Sequence, residues 1–122
     1  MNPAEYLSAY AQGWSRGDAD MILQATAEGY TFDDPNAGHV TREAFSEYLV
    51  TLKEAIAAQC HGRIPEPFME LSEVLTQEEA GVLTASCWWA VPGTTLKGSG
   101  LIKVDANGVR SEVITYYAKP GG

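Results

Sequence analysis

Apolar residues recur at helical spacing up to about Gln59 and at every second position beyond Pro67. That change of period divides the chain into a helical half and a strand half, which is the order of an α+β domain. The strand half contains four runs, about 68–76, 80–91, 96–105 and 109–118, rich in β-branched and aromatic residues. Glu78-Glu79 with Gly81, Pro92-Gly93 and Ala106-Asn107-Gly108 supply the turns between them. Turns this short predict consecutive strands paired antiparallel as a meander.

The helical half is punctuated as clearly. Asn2 can cap a first helix that Pro3 starts and Gly17 ends, with Leu7, Tyr10, Ala11 and Trp14 on one face. Asp18 can cap a second through about Ala27, with Gly29 as its stop. Tyr30 to Asp34 then predicts a short strand broken by Pro35. After the turn Asn36-Ala37-Gly38, Thr41 can cap a third helix to about Gln59, carrying Phe45, Tyr48, Leu49, Leu52 and Ile56 inward. His61 to Pro67 is a loop by its glycine and prolines.

Alternation assigns faces. Leu83, Ala85, Cys87 and Trp89 share one side of their run, and Leu96, Gly98, Gly100, Ile102 and Val104 share one side of the next. Both sets are expected to face the interior, where the small Ala85, Gly98 and Gly100 leave volume for a cavity. In the last run Val109, Ser111, Val113, Thr115 and Tyr117 alternate with Arg110, Glu112, Ile114 and Tyr116, and both sets are partly apolar. One face is expected to meet the helices and the other a second copy of the chain, giving a homodimer through the sheet.

At 122 residues and 45% apolar content the chain makes one domain, 1–122, able to bury a core around a small cavity. A formal charge of −8 disfavours nucleic acid and anionic membranes as partners. Met1 to Glu5 carry no basic or apolar leader pattern, so a cytoplasmic location is expected. Cys60 and Cys87 are expected as buried thiols, since no close Cys/His cluster suggests a disulfide framework or zinc.

Chemistry centres on Asp34. It ends a strand whose same-face neighbours are Tyr30 and Phe32, and a carboxylate set among aromatic groups can act as a general base. The same residue also suits an Asp-Pro turn, through side-chain bonds to the backbone. Tyr10 lies on the buried stripe of the first helix. Its hydroxyl either serves as a donor to an oxyanion or is satisfied within the core. His39 is close enough in sequence to Asp34 to rim the same cavity, or it is a surface residue. His61 lies a whole helix away, which argues against joint metal ligation.

Tyr10 ahead of Arg16-Gly17-Asp18-Ala19-Asp20, followed by Phe32-Asp33-Asp34-Pro35, resembles the nuclear transport factor 2-like superfamily. The likeness is to its ketosteroid isomerase and SnoaL-like polyketide cyclase branches. The resemblance implies a cone in which N-terminal helices pack into the concave face of a curved, mostly antiparallel sheet. It also implies Asp34 as base and Tyr10 as hydrogen-bond donor to an enolate oxygen, with no metal or organic cofactor. Trp14, Phe32, His39, Ala85, Cys87, Gly100, Val113 and Tyr117 would then contact a small apolar carbonyl substrate. The isomerase branch carries a second, protonated acid on a late strand. Gly100 stands at that position here, so the resemblance implies a cyclase-like proton transfer more than steroid isomerisation. A non-catalytic ligand-binding or dimeric module is the alternative that the same fold allows.

Overall fold

The first helix, α1 (Pro3–Arg16), is set at both ends by local chemistry in the computed structural model, which describes residues 1–117. The Asn2 side chain accepts from the Glu5 amide at 2.9 Å, and the Glu5 carboxylate accepts from the Asn2 amide at 3.0 Å. Gly17 closes the helix in the left-handed region, at φ +62°. Asp18 caps α2 (Ala19–Gln24) by accepting from the Met21 amide at 3.1 Å. Gly13 lets the two helices approach, because a Cβ there would fall 2.8 Å from the Ile22 backbone nitrogen.

The second helix ends earlier than its capping pattern predicts. Thr26 pairs with Val109 instead, which begins β1 (Thr26–Asp34) parallel to β6 (Gly108–Tyr116). Gly29, at φ +83°, lies where the register of this pairing shifts, so it interrupts a strand and does not stop a helix. The Asn36-Ala37 turn leads into a short strand, β2 (Gly38–Thr41), antiparallel to β1. Of its four residues only Val40 is buried, too little pattern to be read from sequence. The third helix, α3 (Phe45–Gln59), consequently starts several residues after Thr41, whose hydroxyl accepts from the Ala44 amide at 3.3 Å.

The remaining strands, β3 (Glu70–Glu79), β4 (Val82–Ala90) and β5 (Lys97–Asp105), form the expected meander with β6. The sheet order is β2-β1-β6-β5-β4-β3, mostly antiparallel and open at both edges. Ala118, where the last run was expected to end, lies outside the described residues. Leu83, Ala85, Cys87, Trp89, Gly98, Gly100, Ile102 and Val104 are all buried, as alternation requires. The helices cover this inner face, and Phe45 sits among the rings of Trp14, Tyr30, Phe32 and Tyr48. Among the described residues no helix is long and apolar enough to cross a membrane.

One irregularity decides the site. The β5–β6 register shifts between the Lys103–Ser111 and Val104–Val109 pairs, so Arg110 bulges out of the ladder. Val109 and Glu112 therefore both point inward, although strict alternation puts them on opposite faces.

Candidate functional site

Among the described residues two carboxyl groups are buried, Asp34 and Glu112, each at 4% exposure and each bonded by tyrosine hydroxyls from other elements, two on Asp34 and one on Glu112. Asp34, at the end of β1, accepts on Oδ2 from the hydroxyls of Tyr48 on α3 at 2.7 Å and Tyr116 on β6 at 2.9 Å. Its Oδ1 accepts from the Asn36 amide at 2.8 Å and the Ala37 amide at 3.4 Å. Four donors match the acceptor capacity of a carboxylate. The turn role and the buried role of Asp34 are thus one arrangement, in which it ties the hairpin, α3 and β6 together.

Glu112 is held differently. Tyr10 donates to its Oε1 at 2.6 Å, and the Tyr10 oxygen is 2.6 Å from that of Tyr30. Among the described residues Oε2 has no hydrogen-bond partner. Burial raises the Glu112 carboxyl from its ordinary range to about 7, against the smaller lowering effect of the Tyr10 hydrogen bond. Burial, then the Glu112 charge, pushes the Tyr10 hydroxyl well above its ordinary value, and burial does the same to Tyr30. Tyr48 rises by burial and by its bond to Asp34, and Tyr116 is pushed up to about 12 for the same reasons. These phenols remain protonated near neutral pH.

A cavity of about 20 Å³, room for one water, lies between the helices and the sheet. Trp14, Phe32, Tyr48, Glu112 and Tyr116 supply its aromatic and polar lining. Met69, Leu71 and Leu96 form an adaptable apolar wall. The indole N–H of Trp14 is buried and, among the described residues, has no acceptor.

Tyr10 and Asp34, expected to act on one substrate, do not bond to each other and do not line this cavity. Each touches it through a residue that does: Glu112 for Tyr10, Tyr48 and Tyr116 for Asp34. Trp14 and Phe32 line it directly. Ala85 and Cys87 are buried in the core beside it, where burial, then the Glu112 charge, raises the Cys87 thiol to about 11. Gly100 leaves no open volume, because a Cβ there would fall 2.5 Å from Glu112 Oε2 and 3.6 Å from Cys87 Sγ. Its place is occupied by an acid from the neighbouring strand.

Three expected contacts lie elsewhere. His39 is exposed on β2, with Nδ1 2.7 Å from Asp33 Oδ1, because its strand position faces away from Asp34. Val113 and Tyr117 are 46% and 49% exposed, on the outer face of the sheet, since the bulge gives the inner face to Glu112, Ile114 and Tyr116. Glu112 itself was legible as a lone acid sharing parity with Ile114 and Tyr116. Arg110, in the same alternating set, masked it. Cys60 is half-buried and Cys87 buried, and both are free.

No protein-family model matches the sequence, and no curated protein matches it. The fold has many solved relatives. A candidate polyketide cyclase from Xanthomonas campestris pv. campestris superposes with a TM-score of 0.65 at 16% identity, over 94% of this chain and 90% of that one. A SnoaL-like protein of unknown function from Burkholderia thailandensis gives 0.63 at 13% identity, over 95% of each chain. An NTF2-like protein of unknown function from Cytophaga hutchinsonii gives 0.62 at 13%, over 96% of this chain and 91% of that one. The chain therefore has the NTF2-like, SnoaL-like α+β cone fold, with helices against a curved, open six-stranded sheet.

Proposed function

We propose that this chain is a cofactor-independent acid–base enzyme that moves a proton on a small, largely apolar, enolisable carbonyl compound, with Glu112 as the proton carrier. The observation that carries the reading is the Glu112 carboxyl: buried, lining the cavity, with one oxygen bonded by Tyr10 and the other unpartnered among the described residues. Its raised titration to about 7 suits a group that must both take and return a proton near neutral pH. The ionised carboxylate takes the α-proton to leave an enolate, and the carboxyl so formed returns that proton to carbon or oxygen. Tyr10 is a positioning residue that orients Glu112. Asp34 positions Tyr48 and Tyr116. Rotation of Met69, Leu71 and Leu96 would open room for the ligand. The free thiols of Cys60 and Cys87 fit a reducing compartment such as the cytoplasm.

The test is deuterium exchange into the methyl group of acetophenone in D2O, followed by proton NMR. Exchange is expected with the wild type and should fall by about 10²-fold or more in Glu112→Gln. Equal exchange by the two proteins would remove Glu112 from the chemistry.

A second reading, a dimeric binding module, is favoured by the outer sheet face. Leu75, Trp88, Leu101, Val113 and Tyr117 are exposed there, and the rings of Trp88 and Tyr117 contact each other. Such a face suits a second copy of the chain. Binding of ketones without any exchange would select the module.

A further inference from the structure

Tyr30 encloses a third hydroxyl beside Glu112, one that the proton transfer has not yet used. The residue is 1% exposed, and its ring is held edge-on against Tyr10 and Phe45, with centroids 6.0 and 5.8 Å away. Among the described residues its oxygen has one side-chain partner, the Tyr10 oxygen at 2.6 Å. Counting hydrogens gives that contact a direction. An ionised Glu112 offers only lone pairs, so the 2.6 Å bond to its Oε1 uses the one hydroxyl hydrogen of Tyr10. The hydrogen between the two phenols therefore belongs to Tyr30. Side chains from β1, α1 and β6 thus form one chain, Tyr30 to Tyr10 to Glu112, with each hydrogen pointing toward the carboxylate.

The other titratable groups facing Glu112 do little to favour its charge. Tyr48 on α3 and Cys87 on β4 remain protonated and neutral near pH 7, and β5 presents Gly100 and Ile102. Among the described residues it is the Tyr10 hydrogen bond that opposes the effect of burial. A phenol whose oxygen accepts a hydrogen bond donates its own hydrogen more strongly, so Tyr30 reinforces that bond without touching the carboxylate. The chain is costly to run backwards. If a protonated Oε1 donated to Tyr10, Tyr10 would donate to Tyr30, and the buried Tyr30 hydrogen would lose its acceptor. From this geometry we infer that Tyr30 is a positioning residue that acts through Tyr10: it keeps Oε1 an acceptor in both states of Glu112, so the proton is taken and returned at Oε2. The inference rests on the proton-transfer reading above and adds the residue and the atom that govern it.

Infrared difference spectroscopy of the whole chain between pH 5 and 9 tests this through the C=O stretch of protonated Glu112, the band that Glu112→Gln lacks. With the proton on Oε2, the C=O oxygen is the one bonded by Tyr10. The band is expected to move to higher frequency in Tyr30→Phe, and further in Tyr10→Phe. Its titration midpoint should rise by about 0.3 pH unit in Tyr30→Phe, which keeps the ring packing and loses only the hydroxyl. In a Tyr10→Phe background, Tyr30→Phe should move neither. A band or a midpoint unmoved by Tyr30→Phe, or moved as much without the Tyr10 hydroxyl as with it, would overturn the inference. A wild-type band at the frequency of an unbonded C=O would place the proton on Oε1 and overturn it as well. The exchange assay separates the underlying reading. Exchange that depends on Glu112, with a band indifferent to Tyr30→Phe, refutes the inference alone. The expected band shifts without any exchange support the hydrogen-bond chain and refute proton transfer.

Discussion

Replacing Glu112 by glutamine tests the site through stability, with no ligand needed. In the unfolded chain this carboxyl ionises at its ordinary value near 4.5, whereas in the fold it holds its proton to about 7. Between those values the folded state binds more protons than the unfolded one, so stability falls as pH rises. This is the reverse of a salt-bridged carboxylate. The contribution is fully present below about pH 4.5 and lost through pH 7. A rise from 4.5 to about 7 corresponds to about 3 kcal/mol, and at 4% exposure little of it is screened by solvent. Glutamine keeps an oxygen for the Tyr10 hydroxyl and cannot ionise. It adds amide hydrogens that need partners, which offsets about 1 kcal/mol at every pH. The variant should thus be slightly less stable than the wild type at pH 4.5 and more stable by about 2 kcal/mol at pH 8.5. Urea unfolding followed by tryptophan fluorescence at four or five pH values measures this, and the difference between the two proteins cancels every other titrating group. Parallel stability curves would refute the reasoning, because they would mean that Glu112 ionises in the fold as it does in water.

The companion predictions use other members of the two clusters. Tyr10→Phe removes the hydrogen bond that favours the Glu112 carboxylate, so the carboxyl should titrate above its present value of about 7. The rising limb of the exchange rate against pH should move upward with it, and an unmoved limb would show that Tyr10 does not act on Glu112. Gly100→Ala places a methyl 2.5 Å from Glu112 Oε2 and should destabilise by about 1–3 kcal/mol. Much of that loss should disappear in a Glu112→Ala background, as a double-mutant cycle would measure. Asp34→Asn loses charge-assisted bonds from two phenols and should destabilise by about 2–4 kcal/mol. Its exchange rate per folded molecule should fall far less than that of Glu112→Gln, and equal losses would return the role of base to Asp34. Charging the outer face with Leu101→Lys should yield monomers by sedimentation if two copies pair through the sheet; an unchanged sedimentation coefficient would rule that face out.

Much of the architecture is written in local pattern. The capping box at Asn2 and Glu5, the left-handed stop at Gly17 and the Asp18 cap are contacts over three or four residues, so they can be read without knowing the fold. The meander is equally local, since each turn joins neighbours. The elements that were misjudged depend on distant partners. Thr26 and Ala27 follow helical residues in sequence, yet they join the sheet because β6 lies alongside them. The short β2 has one buried residue and exists through its pairing with β1.

The same division runs through the site. Sequence alone offered Asp34 both as a turn residue and as a carboxyl on the face of Tyr30 and Phe32, and placed Gly100 inward without a side chain. Tertiary structure decided which acid meets Tyr10. One bulged residue, Arg110, turns Glu112 inward, and the empty position of Gly100 on the adjacent strand receives its carboxyl. Alternation along one strand is a local rule. A bulge is a mismatch between two strands, and it becomes legible only when both are paired.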